Sequence, residues 1–286
     1  MRHNACAAST LIFKSHRACS NACRFPHPRR GSTLQQSPAT AKLSSRWLSD
    51  VKLRLGKCLT FGLDDEQKII AGDVLSTLSR DWRELVAGSE GFLTQKHRRG
   101  LYRYPIAWAE QDPFAHINNI VYNRWAETGR IVWTRNFGNY IDRKRSAYWN
   151  QLMVPKDEGL ILRKITTEFK FPMTFPDRVS VYHKLSSEPD SSDAVLLDSV
   201  ILSESKQRIA ARTYEDIALY NYDEGRKVNK QSWMLDILRD TWTLQEETKK
   251  VNSDRVQVLL DKVRQLELDS WDRPDAVEDM GSASTP

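Results

Sequence analysis

Between residues 161 and 171 the chain alternates almost strictly. Ile161, Arg163, Ile165, Thr167, Phe169 and Phe171 fall on one side, and Leu162, Lys164, Thr166, Glu168 and Lys170 on the other. A period of two marks a strand with one face suited to burial, and an antiparallel sheet is its simplest host. Three further strands are predicted at Arg178 to Leu185, Ala194 to Ser203 and Arg208 to Tyr222. A Pro/Asp/Ser loop at 189–193 and a polar turn at 204–207 separate them. Upstream the period changes. Asn118 to Phe137 reads as one long helix closed by Gly138, preceded by a short strand at Tyr102 to Trp108. One helix and about five strands make an α+β domain over residues 101–222, in which an antiparallel sheet wraps around the helix and buries both apolar faces.

The flanks are helical. Asp64 or Asp65 is placed to cap a helix whose Ile70, Val74, Leu78, Trp82, Leu85 and Val86 recur at helical spacing up to Gly88. Residues 46–100 therefore read as a helical extension whose apolar stripe covers core or partner surface. After Tyr222 a second extension, residues 223–270, carries Trp233, Leu235, Ile237 and Leu238, and later a stripe of Val256, Leu259, Leu260, Val263 and Leu266. Two or so heptads are too few for a coiled coil, and residues 271–286 look like a frayed tail. No apolar run approaches the ~20 residues of a bilayer span.

A net charge of +6 raises the question of a nucleic-acid partner, and the position of the charge answers it. Residues 1–60 hold eleven of the 43 Lys and Arg and only one of the 37 acids, Asp50, so the remainder is mildly acidic. An Arg-rich, Ser/Ala-rich start whose first 45 residues lack acids has the composition of an organelle transit peptide. Import into the mitochondrial matrix and cleavage near Arg46 are expected, with no nucleic-acid partner. Cys6, Cys19 and Cys23 lie in this segment, which leaves Cys58 alone in the mature chain and no intrachain disulfide. Cys19 and Cys23, with His16 and His27, fit no usual zinc spacing. No metal or cofactor is expected.

Chemistry concentrates in the run Trp108-Ala109-Glu110-Gln111-Asp112-Pro113-Phe114-Ala115-His116-Ile117-Asn118-Asn119, followed by Tyr122 and Glu127. Hydrolysis at a carbonyl needs a nucleophile or an activated water, and a donor for the developing oxyanion. Asp112, just ahead of the helix, suits the first role and His116 an orienting one. The first helical turn, around Ile117, Asn118 and Asn119, offers backbone N–H groups and the positive end of the dipole. Asn119, Asn123 and Glu127 are spaced by four and share a helix face, which makes Glu127 a second candidate carboxylate. Each residue also has a plain structural use: Asp112 and the asparagines as turn or cap residues, His116 as a core histidine, Glu127 as a surface partner of Arg124 or Arg130, and Tyr122 as packing.

The run resembles hotdog thioesterases related to 4-hydroxybenzoyl-CoA thioesterase and plant acyl-ACP thioesterases, whose motif reads Asp-x-x-Gly-His-Val-Asn-Asn, then Tyr, then Glu. Asp112, His116, Asn118, Asn119, Tyr122 and Glu127 fall at the family's spacing, with Ile117 for Val and Ala115 for Gly. Phe114 stands where the plant enzymes carry a catalytic Asn, so their full catalytic set is absent. Glu110 replaces an Asp of many relatives. The resemblance covers roughly Leu101 to Tyr222. It implies a hotdog fold, a mitochondrial member of fungal type, an acyl-CoA or acyl-ACP substrate, and a homodimer or higher homo-oligomer with sites between units. Asp112, His116 and Glu127 become the catalytic candidates, and Ile117, Asn118, Asn119, Tyr122 and Asn123 the substrate-binding ones. A non-catalytic acyl-binding or scaffold protein is the competing expectation; a hydratase would carry a different motif.

Overall fold

The computed structural model describes residues 43, 44 and 46–277. The transit-peptide-like segment, with Cys6, Cys19 and Cys23, and the end of the tail lie outside the described residues. Among the described residues, no helix is long and apolar enough to cross a membrane.

The centre is a sheet curled against one helix. α3, Asn119–Asn136, packs on a sheet of order β1-β3-β4-β5-β2, every neighbouring pair antiparallel. The strands are β1 Tyr104–Pro105, β2 Glu158–Phe169, β3 Arg178–Leu185, β4 Ala194–Ser203 and β5 Arg208–Asn221, with β6 Arg226–Lys227 paired to the end of β5. This is the hotdog arrangement. The expected strands at 178–185 and 194–203 appear with those bounds, since polar loops delimit both sharply.

The middle of the sheet is buried on both faces. Val179, Val181 and Ile201 join Val121, Tyr122, Trp125 and Ala126 on the α3 side. Tyr182, Val200 and Leu202 pack the other way, against α1 (Trp47–Thr60), α2 (Asp65–Ala87) and the distal part of α5 (Ser232–Asp269). Double-sided burial explains the unbroken run Val200-Ile201-Leu202, where alternation would otherwise be expected. Each such side chain contributes roughly 1.5–3 kcal/mol on leaving water. A capping box starts α2: the Asp64 carboxylate accepts from Gln67 N–H at 2.8 Å, and the Gln67 side chain accepts from Asp64 N–H at 2.9 Å. The two apolar stretches expected after Tyr222 belong to one helix of 38 residues, α5. Its Met234 and Leu238 pack with Trp133, Phe137 and Trp149, and its Val256 and Val263 pack with α1 and α2.

Three local expectations are corrected. The strand at Tyr102 to Trp108 shrinks to β1, because Trp108–Glu110 closes into a 3-10 turn in which the Glu110 carboxylate accepts from Ala107 N–H at 2.8 Å. Gly138 does not stop the long helix, which instead widens into a π turn at Phe137–Ile141. A Cβ at Gly138 would lie 3.0 Å from Ser146 O and from the Trp149 Cβ, so glycine is needed there for the close approach of α4, Ser146–Gln151. β2 is an edge strand, so its expected burial face is only half covered. Arg163, the charged residue on that face, sits at a β-bulge and reaches out to Asp193 and Asp216.

Candidate active site

The site begins as a turn. Asp at the first position and Pro at the second favour a type I turn, and in Asp112-Pro113-Phe114-Ala115 the Ala115 N–H donates to Asp112 O at 3.0 Å. Asp112 N–H donates to His116 O at 2.7 Å, and Gln111 bridges to Ile117 across the base. Ala115 takes φ +59°, the left-handed region in which glycine is at ease. A conformation that glycine adopts freely is thus held by an alanine, at a cost of roughly 1–2 kcal/mol for the methyl group.

The same turn fixes the carboxylate. Asp112 Oδ1 accepts from Phe114 N–H at 2.9 Å and from His116 N–H at 3.2 Å. Among the described residues, Oδ2 has no hydrogen-bond partner. Asp112 is thus aimed by backbone donors through one oxygen, with the other available.

Two bonds deliver the chain into α3. Ile117 N–H donates to Met173 O at 2.8 Å, and Asn118 N–H to Glu110 O at 2.9 Å. Asn118 is the N-cap, its side chain accepting from Ile120 N–H at 3.0 Å. This corrects the expectation that the N–H groups of Ile117 and Asn118 bind a carbonyl, because both are already engaged. Among the described residues, the first-turn N–H without a partner is that of Asn119, at the positive end of the helix dipole.

Asp112, His116, Ile117, Asn119 and Tyr122 line one cleft of about 320 Å³, closed on the other side by Phe169, Lys170, Phe171 and Pro172 at the end of β2. Tyr122 forms its base, almost fully buried, with its oxygen accepting from Met173 N–H at 3.1 Å. Burial raises the Tyr122 phenol above its ordinary value; the Met173 bond opposes this, and the Asp112 charge adds to it. Residues 169–172 are not marked as cleft residues by the sequence, where Phe169 and Phe171 read as core; Phe169 ends the edge strand β2, and the segment that follows it completes this wall.

The remaining candidates lie elsewhere. Asn123 accepts from the Thr167 hydroxyl at 2.6 Å, tying α3 to β2. Glu127 is exposed, does not line the cleft and, among the described residues, pairs with neither Arg124 nor Arg130. Arg130 turns inward. Its guanidinium lies 2.6 Å from the fully buried Glu215 carboxylate, which also accepts from Thr213 and has His183 Nε2 at 3.6 Å, beyond hydrogen-bond reach. Burial alone would push Glu215 up, but His183 and Arg130 together hold it down at about 2.

Residues 106–238 match the thioesterase-like superfamily. The match takes in the turn, α3, all four long strands and the start of α5; α1, α2 and most of α5 lie outside it. Among solved structures, a Thermus thermophilus thioesterase complexed with coenzyme A and Zn is 16% identical, with TM-score 0.39, covering 53% of this chain and 96% of its own. A DHNA-CoA thioesterase from Staphylococcus aureus is also 16% identical, with TM-score 0.37, covering 57% of this chain and 94% of its own. No curated protein matches.

Proposed function

We propose that the chain is an acyl-CoA or acyl-ACP thioesterase, active in mitochondria as a homodimer. The observation that carries this reading is Asp112, gripped through Oδ1 by two backbone N–H groups and facing the same cleft as His116 and the start of α3. With an acyl thioester in the cleft, the Asp112 carboxylate takes a proton from water as the water oxygen attacks the carbonyl carbon; in the nucleophilic alternative the carboxylate itself attacks that carbon, and a water then hydrolyses the acyl–Asp112 anhydride to release the acid. Asn119 N–H and the helix dipole stabilise the oxyanion. The C–S bond then breaks, the thiolate regains a proton, and free acid and thiol leave. His116, exposed at the rim, orients the thioester. The match to the thioesterase-like superfamily supports the reaction class.

The acid-free first 45 residues support the mitochondrial assignment. β2 supports the dimer: its outer edge has no strand partner among the described residues, and an unpaired edge of twelve residues is a template for a second chain. The test is release of free thiol from a panel of short, long and aromatic acyl-CoAs by purified protein. Turnover of at least one member is expected. Binding without turnover of any member would replace the hydrolase with the acyl-binding protein.

A further inference from the structure

Cations gather around the far end of α3. Lys96, His97 and Arg99 come from the segment ahead of β1, Arg135 from the last turn of α3, and Arg143 and Lys144 from the 3-10 turn Arg143–Arg145. Three contacts join these segments into one face. Arg99 O accepts from the Asn136 side chain at 2.9 Å, the His97 and Tyr140 rings meet edge-on at 6.5 Å, and Arg143 donates to Asn139 O at 3.1 Å. All six side chains are at least partly exposed, and among the described residues none of the Lys and Arg forms an ion pair. The acids nearby are occupied: Asp142 is buried against Arg145 and Trp149, and Asp240 faces the half-buried Arg98. The negative end of the α3 dipole, about half a charge, accounts for one such cation and not for the set. Beyond residue 60 the chain is otherwise mildly acidic, so a concentrated positive face steers an anionic partner to this end.

The cations are held apart rather than gathered on one point. Arg99 stacks on the Tyr102 ring at 3.5 Å, Arg135 donates to the Asn150 side chain at 3.3 Å, and Arg143 is tied to a backbone carbonyl. Such a spread suits the acidic surface of a protein better than the compact phosphates of coenzyme A. Reach agrees with this. Gly100 packs on Gly129, where a Cβ would meet Gly129 O at 2.8 Å. The basic segment therefore reaches α3 about 15 Å along the helix from Asn119, at 1.5 Å per residue. A pantetheine arm, with the backbone length of about four to five extended residues, spans roughly 16 Å. We infer that this face docks an acidic acyl carrier protein, whose arm delivers the thioester to the cleft at the other end of α3. CoA thioesters, which carry the same arm, still reach the cleft but lack the docking contacts. The inference rests on the reading of the cleft as an acyl-thioester site. Lys96, His97 and Arg99 lie outside the stretch that matches the thioesterase-like superfamily, which makes the face a feature of this chain.

The test titrates purified holo-acyl carrier protein into the full chain by calorimetry, every variant keeping the same basic N-terminal segment. Binding should weaken about tenfold or more as salt rises from about 50 to about 200 mM. Arg143→Glu combined with Lys144→Glu, both on exposed side chains, should weaken it on the order of tenfold or more. Lys262→Glu, the same reversal on the distal part of α5, should leave it unchanged. No carrier binding, or carrier binding indifferent to the double variant, would overturn the inference. An equal loss of coenzyme A affinity in the double variant would make the face a phosphate site, and binding of anionic phospholipid vesicles in place of the carrier would make it a membrane contact; either result overturns it as well. Turnover reports separately on the hydrolase: carrier binding with the expected pattern, in a protein that hydrolyses neither acyl-CoA nor acyl-ACP, sinks that reading and keeps this one.

Discussion

Arg130 and Glu215 meet beneath α3 at 2.6 Å, with the Glu215 side chain completely removed from solvent. The pair links the helix that carries the cleft to the centre of the sheet. Breaking a buried ion pair by removing one partner leaves the other uncompensated, at a cost of roughly 3–5 kcal/mol. Arg130→Met should therefore destabilise the protein by about that much in urea denaturation. A loss below about 1 kcal/mol would mean that the pair is not formed.

The same carboxylate gives a pH dependence. Glu215 is held at about 2 in the folded protein, below its ordinary value of 4.5. A depressed carboxylate contributes stability that is fully present above the unfolded value and is lost as pH falls through the folded one. Thermal unfolding followed from pH 5 to pH 2 should show this decline, and Glu215→Gln should be less stable at neutral pH with a flatter profile. Identical slopes for the two proteins would contradict the assignment.

Ala115 provides a local test of the turn. At φ +59°, Ala115→Gly removes the left-handed strain, while glycine's extra freedom in the unfolded chain offsets part of the gain. The expected result is a change between zero and about 1 kcal/mol of added stability. Ala115→Val, with a branched side chain at the same φ, should lose about 1 kcal/mol or more. Destabilisation by the glycine would show that the residue is not left-handed.

Some of this was legible in the sequence and some was not. β3 and β4 have polar loops at both ends, so their limits follow from local chemistry. The helix start was legible because the Asp-Pro turn and the Asn118 cap are local signals as well. What escaped depends on neighbours distant in sequence. Nothing near Phe169 says that β2 lies at an edge, and Gly138 looks like a helix stop until α4 is packed beside it. Ile117 and Asn118 look like free donors until Met173 and Glu110 are brought up to them. Arg130 and Glu127 lie three apart on α3 and read as natural partners, yet Arg130's true partner lies 85 residues away on β5.

The proposed dimer rests on the open edge of β2 and is checked by light scattering at micromolar concentration. Twice the chain mass is expected. An active monomer at all concentrations would contradict it.

The central claim is that Asp112 carries the chemistry, and Asp112→Asn tests it most directly. Asn retains an oxygen to accept from the Phe114 and His116 N–H groups, so the turn and the thermal stability should survive, while the base or nucleophile is gone. Thioester turnover should fall by at least ~10²-fold, about 3 kcal/mol in the barrier, with alkyl-CoA binding little changed and Glu127→Gln near wild type. Wild-type turnover in Asp112→Asn, together with its loss in Glu127→Gln, would place the catalytic carboxylate on the exposed side of α3 and contradict the account.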